Sequence, residues 1–65
     1  MDPQLKQKNQ RKVELTFAVM DAMEDLREIW RGTAPLLDLS GEQRSDASAL
    51  ITSAGKALAE LEGLL

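Results

Sequence analysis

The sequence contains neither cysteine nor histidine. A chain without cysteine forms no disulfide bond, and a chain that lacks both residues has none of the usual ligands of zinc, copper and haem. The same absences exclude catalysis by Ser/His or Cys/His arrangements, and no glycine-rich phosphate loop is present. We therefore expect no enzymatic activity, no cofactor, no bound metal and no small-molecule substrate.

Long apolar runs are also missing. No stretch reaches the roughly 18 consecutive apolar residues that a membrane span needs. Residues 1–12 are charged and have no apolar segment behind them, unlike a signal peptide. The absence of cysteine gives no sign of an oxidising compartment. These features predict a cytoplasmic protein that does not contact a membrane.

The chain itself is short. Its 65 residues form one domain at most, and below roughly 70 to 80 residues a single core rarely stabilises a fold by more than about 3 to 5 kcal/mol. Natural proteins of this size add disulfides, a metal ion or a partner subunit. Because the first two are excluded here, the length favours association with another chain.

The first predicted helix covers residues 3–31. Asp2 is a good N-cap, Pro3 suits the first helical position, and Gly32 supplies a stop signal. Residues 13–23, VELTFAVMDAM, are almost wholly apolar. On a helical wheel the apolar arc of this helix spans about 220°, roughly twice the width that an ordinary surface helix needs. We therefore expect two neighbouring surfaces to cover it.

A second helix is predicted over residues 45–64, after a connector at 32–44 that includes a short helical turn. Ser40 and Gln43 fit a capping box, and Ser45 is an alternative N-cap. The two helices should pack antiparallel because the connector is too short to return the chain along the bundle. Alternating spacings of three and four residues assign the hairpin core to Leu15, Val19, Ala22, Leu26, Ile29, Ile51, Ala54, Leu58 and Leu61.

The first helix carries a second apolar stripe beside this core. Leaving its large side chains in water would forfeit roughly 1.5 to 3 kcal/mol for each, so another chain should bury them. We predict an all-α fold, an antiparallel two-helix hairpin that pairs into a dimeric four-helix bundle. The residues assigned to the dimer or partner interface are Val13, Met20, Met23, Arg27 and Trp30.

Charge is divided unevenly along the chain. Residues 1–12 have a net charge of +3 and residues 13–65 a net charge of −6. The basic arm consists of Lys6, Lys8, Arg11 and Lys12, and it could contact phosphates or the acidic strip of a second subunit. The acidic strip consists of Glu14, Asp21, Glu24, Asp25 and Glu28, whose like charges four residues apart repel each other without internal relief. Nucleic acid is not the expected partner, because the body is acidic and no aromatic residue interleaves the bases.

Six residues are candidates for contact with a target protein, namely Phe17, Asp21, Glu24, Glu28, Leu36 and Leu37. Phe17 stands alone among the acids, either as an incidental exposed ring or as a docking contact. Leu36 and Leu37, together with Leu39, either close the end of the bundle or form an exposed docking motif.

These features predict a small non-enzymatic regulator or adaptor of the inhibitor or anti-activator type, which acts as a homodimeric hairpin and binds another protein. One alternative is a helical chaperone or co-chaperone of the secretion type, which buries its wide apolar face on a partner. A second alternative is a DNA-associated regulator that uses the basic arm. In overall plan the hairpin resembles several unrelated families of two-helix bacterial and phage proteins, a resemblance of fold alone.

Overall fold

The computed structural model describes residues 3–65, which form two helices packed against each other and no strand. Helix α1 covers Pro3–Thr33 and helix α2 covers Gly41–Gly63. The molecule measures 51 × 15 × 15 Å, and its radius of gyration of 15.3 Å exceeds the roughly 11 Å expected for a compact chain of this length. The predicted all-helical hairpin is confirmed. The predicted N-cap, Asp2, lies outside the described residues.

Helix α1 ends two residues later than predicted. Gly32 does not stop the helix, because it does not adopt the positive φ of a glycine terminator. The helix continues to Thr33, whose hydroxyl donates to the carbonyl oxygens of Ile29 and Trp30 at 3.3 and 3.0 Å. Pro35 follows, and the residue before a proline is disfavoured in the α conformation. The stop is therefore set by Pro35 rather than by Gly32.

Helix α2 begins at Gly41, four residues earlier than the predicted start at 45. The capping box is confirmed. The backbone N–H of Gln43 donates to the Ser40 hydroxyl at 3.1 Å, and the backbone N–H of Ser40 donates to the side-chain oxygen of Gln43 at 3.0 Å. Since this box satisfies the first orphan amides of the helix, Ser45 is not needed as a cap. The connector is correspondingly short, a turn at 34–37 followed by a segment without regular secondary structure at 38–40.

The two helices meet along a hairpin seam of buried and half-buried side chains, spaced alternately by three and four residues. In α1 the seam consists of Lys12, Leu15, Val19, Ala22, Leu26, Ile29 and Thr33. In α2 it consists of Gln43, Ala47, Leu50, Ala54, Ala57, Leu61 and Leu64. Among residues 3–65, only Leu15, Ala22, Ala47 and Ala54 are fully buried. Because three of these four are alanines, the fully buried part of the seam holds few large side chains, and most of the leucines in the seam are only half-buried.

Two residues predicted for the hairpin core lie outside it. Ile51 and Leu58 are 54% and 50% exposed. The helix instead turns Leu50 and Ala57 inward, one position earlier along the chain in each case. Ala57 lies beside Leu15 in this seam, and the bulkier Ile51 and Leu58 lie outside it. The other predicted core residues are buried or half-buried.

Helix α1 is longer than the helix it packs against. At 1.5 Å per residue its 31 residues extend about 46 Å and the 23 residues of α2 about 34 Å. Arg11 lies beside Glu60, close to the end of α2, so the first two turns of α1 project past α2. Leu5, in this overhang, is half exposed. Neither helix, over the described residues, has the length and apolar content needed to cross a bilayer.

Candidate protein-binding face

One ion pair fixes which sides of the two helices lie together. Arg11 Nε donates to Glu60 Oε2 at 2.7 Å across the hairpin. Both residues come one position before a seam residue, Lys12 in α1 and Leu61 in α2. Residues that come one position before the seam therefore share one side of the hairpin, and residues that come one position after it share the other side.

The side marked by this ion pair is the polar face. Asp25 of α1 and Asp46 of α2 line one shallow cleft on it, near the connector. Arg11, Glu14, Lys56 and Glu60 border a second cleft nearer the termini. Most of the acidic strip lies on this side, and Asp46 extends it onto α2. The sequence reasoning did not assign Asp46, because only the fold brings it beside Asp25.

The opposite side is an exposed apolar face contributed by both helices. It consists of Val13, Phe17, Met20, Met23 and Trp30 from α1 and Ile51, Leu58 and Leu65 from α2. Their exposed fractions range from 36% for Trp30 to 93% for Leu65. Large apolar side chains at this density are unusual on the surface of a monomeric protein. The apolar face is therefore the strongest candidate for a binding surface.

The predicted interface residues of α1 lie on this face. Met20 is 57% exposed and Met23 40% exposed, so neither is covered by α2. Arg27 lies between them and Trp30, and its guanidinium is 3.8 Å from Glu24. The sequence analysis did not identify the residues that α2 contributes to the apolar face. Ile51, Leu58 and Leu65 are spaced by seven residues, and that regular spacing was a signal that they form one stripe.

Phe17 is placed differently from the expectation that it stands alone among acids. It lines a small groove with the adjacent Thr16 and with Val13 and Met20, each about one helical turn away along α1. The ring is 57% exposed. Phe17 is therefore the outer edge of the apolar face rather than an isolated ring within the acidic strip.

The acidic strip is partly neutralised, and the expectation that it has no internal relief is wrong. Three arginines lie three residues from its members. The distances are 3.4 Å for Arg11 to Glu14, 3.8 Å for Arg27 to Glu24 and 3.1 Å for Arg31 to Glu28. Exposed pairs of this kind contribute little to stability because water screens their charges. Their effect is to lower the local charge of the strip.

The basic arm is not uniform. Arg11 donates a hydrogen bond to Glu60, and this bond and the charge of the carboxylate raise the pKa of Arg11 above its ordinary value. Lys12 is half-buried in the seam, whereas Lys6 and Lys8 are exposed on the overhang of α1. Two of the four bases thus take part in the hairpin itself, and two project beyond it.

The connector leucines do not close the end of the hairpin as a group. Leu36 is 78% exposed and Leu37 50% exposed, and only Leu39 is half-buried. The turn at 34–37 directs the first two away from the seam. Of the two interpretations left open by the sequence, an exposed pair fits their positions better than bundle closure.

No three acidic side chains among residues 3–65 converge where a metal ion could bind. A shallow concavity lies along the outer surface of α2, lined by small and polar residues such as Ser45, Ser48 and Thr52. Comparison of the whole chain with known protein families, with curated proteins and with solved structures finds no match.

Proposed function

We propose that this protein is a small non-enzymatic regulator or adaptor that acts by binding other proteins, and that it works as a homodimer paired through the apolar face. The observation that carries the proposal is the apolar face itself, eight exposed apolar side chains on one side of a two-helix hairpin. Burying a large apolar side chain contributes roughly 1.5 to 3 kcal/mol. For a hairpin whose fully buried side chains are one leucine and three alanines, this gain is large relative to its own core.

The surface area of the single chain supports association. It exposes 5105 Å², whereas a compact monomer of its mass exposes roughly 4,100 Å². Two separate copies would expose roughly 10,200 Å², and a compact protein of twice the mass roughly 6,800 Å². The difference exceeds the roughly 1,200 to 2,000 Å² that stable specific interfaces bury in total. This difference is the surface that a fully compact dimer would bury, and it leaves room for an interface of that size.

Self-pairing also leaves a surface for a target. The polar face lies on the other side of the hairpin, so Asp21, Asp25 and Asp46 stay exposed when the apolar face is covered. Their charge suits a basic segment of another protein. In this arrangement one face holds the dimer together and the other binds the regulated protein.

The test is the native mass by light scattering across a dilution series, for the wild-type chain and for Met20→Glu. The wild-type protein is expected to be a helical dimer. Met20→Glu places a charge in the paired face, which is strongly unfavourable without a partner charge, and it should give a monomer with a lower melting temperature. Thr52→Glu adds a glutamate on the outer surface of α2, and it should leave the mass unchanged.

A Met20→Glu protein with unchanged mass and unchanged melting temperature would refute pairing through this face. The binding role is tested separately by reversing Asp21, Asp25 and Asp46 to lysine. That variant should stay dimeric and lose the target captured by the wild-type protein. Retention of the same target would exclude the polar face as the binding surface.

The chaperone alternative uses the same observation with a different occupant. In that case the apolar face covers a helix of the client protein, and the isolated chain should be a weakly helical monomer that aggregates. The DNA-associated alternative has less support, because Arg11 is engaged by Glu60 and Lys12 lies in the seam. Binding to duplex DNA that falls steeply with added salt would revive it.

A further inference from the structure

Building on the proposed self-pairing, we infer that the second copy lies antiparallel to the first, with the two connectors at opposite ends of the four-helix bundle. Two hairpins that stack face to face about a two-fold axis have two choices. Either α1 lies on α2 of the partner with both connectors at one end, or α1 lies on α1 of the partner with the connectors at opposite ends. Charge, apolar surface and the overhang of α1 all favour the second arrangement.

The hairpin is charged oppositely at its two ends. Residues 3–18 and 53–65, which form the end with the termini, contain five bases and three acids, a net charge of +2. Residues 19–52, which form the connector end, contain three bases and seven acids, a net charge of −4. Antiparallel stacking places the positive end of each copy beside the negative end of the other, whereas same-end stacking places like beside like. Coulomb attraction therefore selects the antiparallel arrangement.

The apolar surface is also divided unevenly between the helices. On α1 the apolar face is two residues wide, with Val13 and Met20 next to Met23 and Trp30. On α2 the corresponding second row is small or polar and includes Ser48 and Gly55. Antiparallel stacking packs the wide stripe of α1 on its own copy, so apolar side chains meet apolar side chains. Same-end stacking would set it against the small, polar row of α2.

The overhang of α1 fits the same arrangement. Lys6 and Lys8 lie on the overhang beyond α2, and in an antiparallel pair they lie beside the connector end of the partner, whose residues 19–52 carry a net charge of −4. In the same-end arrangement the two overhangs would project side by side, with four exposed lysines close together. The overhang thus becomes an intersubunit contact only when the hairpins are antiparallel.

Because the chain has no cysteine, a single spin label can report the arrangement without removing native thiols. We would label Asp38→Cys, in the exposed connector, with a nitroxide and measure the distance between the labels of the two copies. Antiparallel hairpins should give more than about 35 Å, the length of α2 at 1.5 Å per residue. Same-end hairpins should give under about 25 Å, because helices pack roughly 8 to 10 Å apart. A sample diluted with excess unlabelled protein should lose the signal, which identifies it as intermolecular.

Each outcome distinguishes the two proposals. A dimer with a long distance supports the antiparallel arrangement. A dimer with a short distance overturns that arrangement and leaves the proposed self-pairing standing. A monomer by light scattering overturns both.

A second variant tests the charges alone. Lys6→Glu combined with Lys8→Glu should weaken the antiparallel dimer several-fold at low salt, and the effect should vanish at high salt because exposed charges are screened. In the same-end arrangement these reversals would leave the repulsion between the two arms, so an unchanged or stronger dimer would overturn the proposal.

Discussion

Leu37 has a backbone conformation that few leucines adopt. Its φ is 58°, in the left-handed region, and it is the one non-glycine residue with positive φ in the part of the chain that the structure describes. Its amide donates to the carbonyl oxygen of Thr33 at 3.0 Å, which closes the turn after α1. Left-handed backbone costs a residue with a Cβ atom about 1 to 2 kcal/mol. The connector reverses the chain in seven residues at this cost.

Replacing Leu37 with glycine should relieve that strain. We compare Leu37→Gly with Leu36→Gly, since both remove the same side chain and both add glycine flexibility to the unfolded chain. Leu37→Gly should be the more stable of the two by about 1 kcal/mol, measured by urea denaturation. Leu37 is the less exposed of the pair, so if side-chain burial decided stability, Leu37→Gly would be the less stable variant. That result would refute an effect of backbone strain.

At the scale of the element, the start of α2 was predictable because its signal is local. Ser40 and Gln43 are three residues apart, and the hydrogen bonds that they form depend on nothing outside that turn. The end of α1 was less predictable. Gly32 is a stop signal in isolation, but a glycine also fits within a helix, and Pro35 decides the boundary three residues later.

The capping box should be the most sensitive point of α2. Ser40→Ala removes the acceptor for the Gln43 amide and should lower the free energy of unfolding by about 1 kcal/mol. Ser45→Ala, which lies within the helix and is exposed, should be neutral or slightly stabilising because alanine has the higher helix propensity. The free energy of unfolding is measured by thermal denaturation monitored by circular dichroism. Equal losses of this free energy in the two variants would contradict the assignment of Ser40 as the cap.

The sequence alone does not show which stripe of α2 faces α1. Two stripes, one through Leu50 and Ala57 and the other through Ile51 and Leu58, are both apolar and both follow the heptad spacing. The sequence favours the second stripe because its side chains are larger. The choice depends on how the two helices pack against each other, which the spacing within α2 alone does not show.

At the scale of the whole molecule, the wide apolar arc of α1 predicted an uncovered surface, and the structure shows that surface exposed. The contribution of α2 could not be predicted without the correct seam. The division into an apolar face and a polar face also depends on the register of the two helices. The ion pair between Arg11 and Glu60 shows this register. Helix content and hairpin topology were therefore accessible from sequence, and the composition of the binding face was accessible only in part.

If the chain pairs as proposed, its thermal stability depends on its concentration. A protein that unfolds from a dimer to two free chains is stabilised by mass action, and the melting temperature should rise by about 3 to 6 °C for each tenfold increase in concentration. Met20→Glu should abolish this dependence. A melting temperature of the wild-type chain that is constant over a hundredfold range would exclude dimeric unfolding.

The overhang of α1 has a consequence for the energetics of pairing. Its first two turns have no neighbouring helix within the chain, and short helical segments without tertiary contacts are in equilibrium with coil in water. Docking of Lys6 and Lys8 on a second copy would then order these turns as it binds them. Part of the attraction between opposite charges offsets the lost conformational entropy of the arm, so the arm contributes more to the choice of orientation than to affinity.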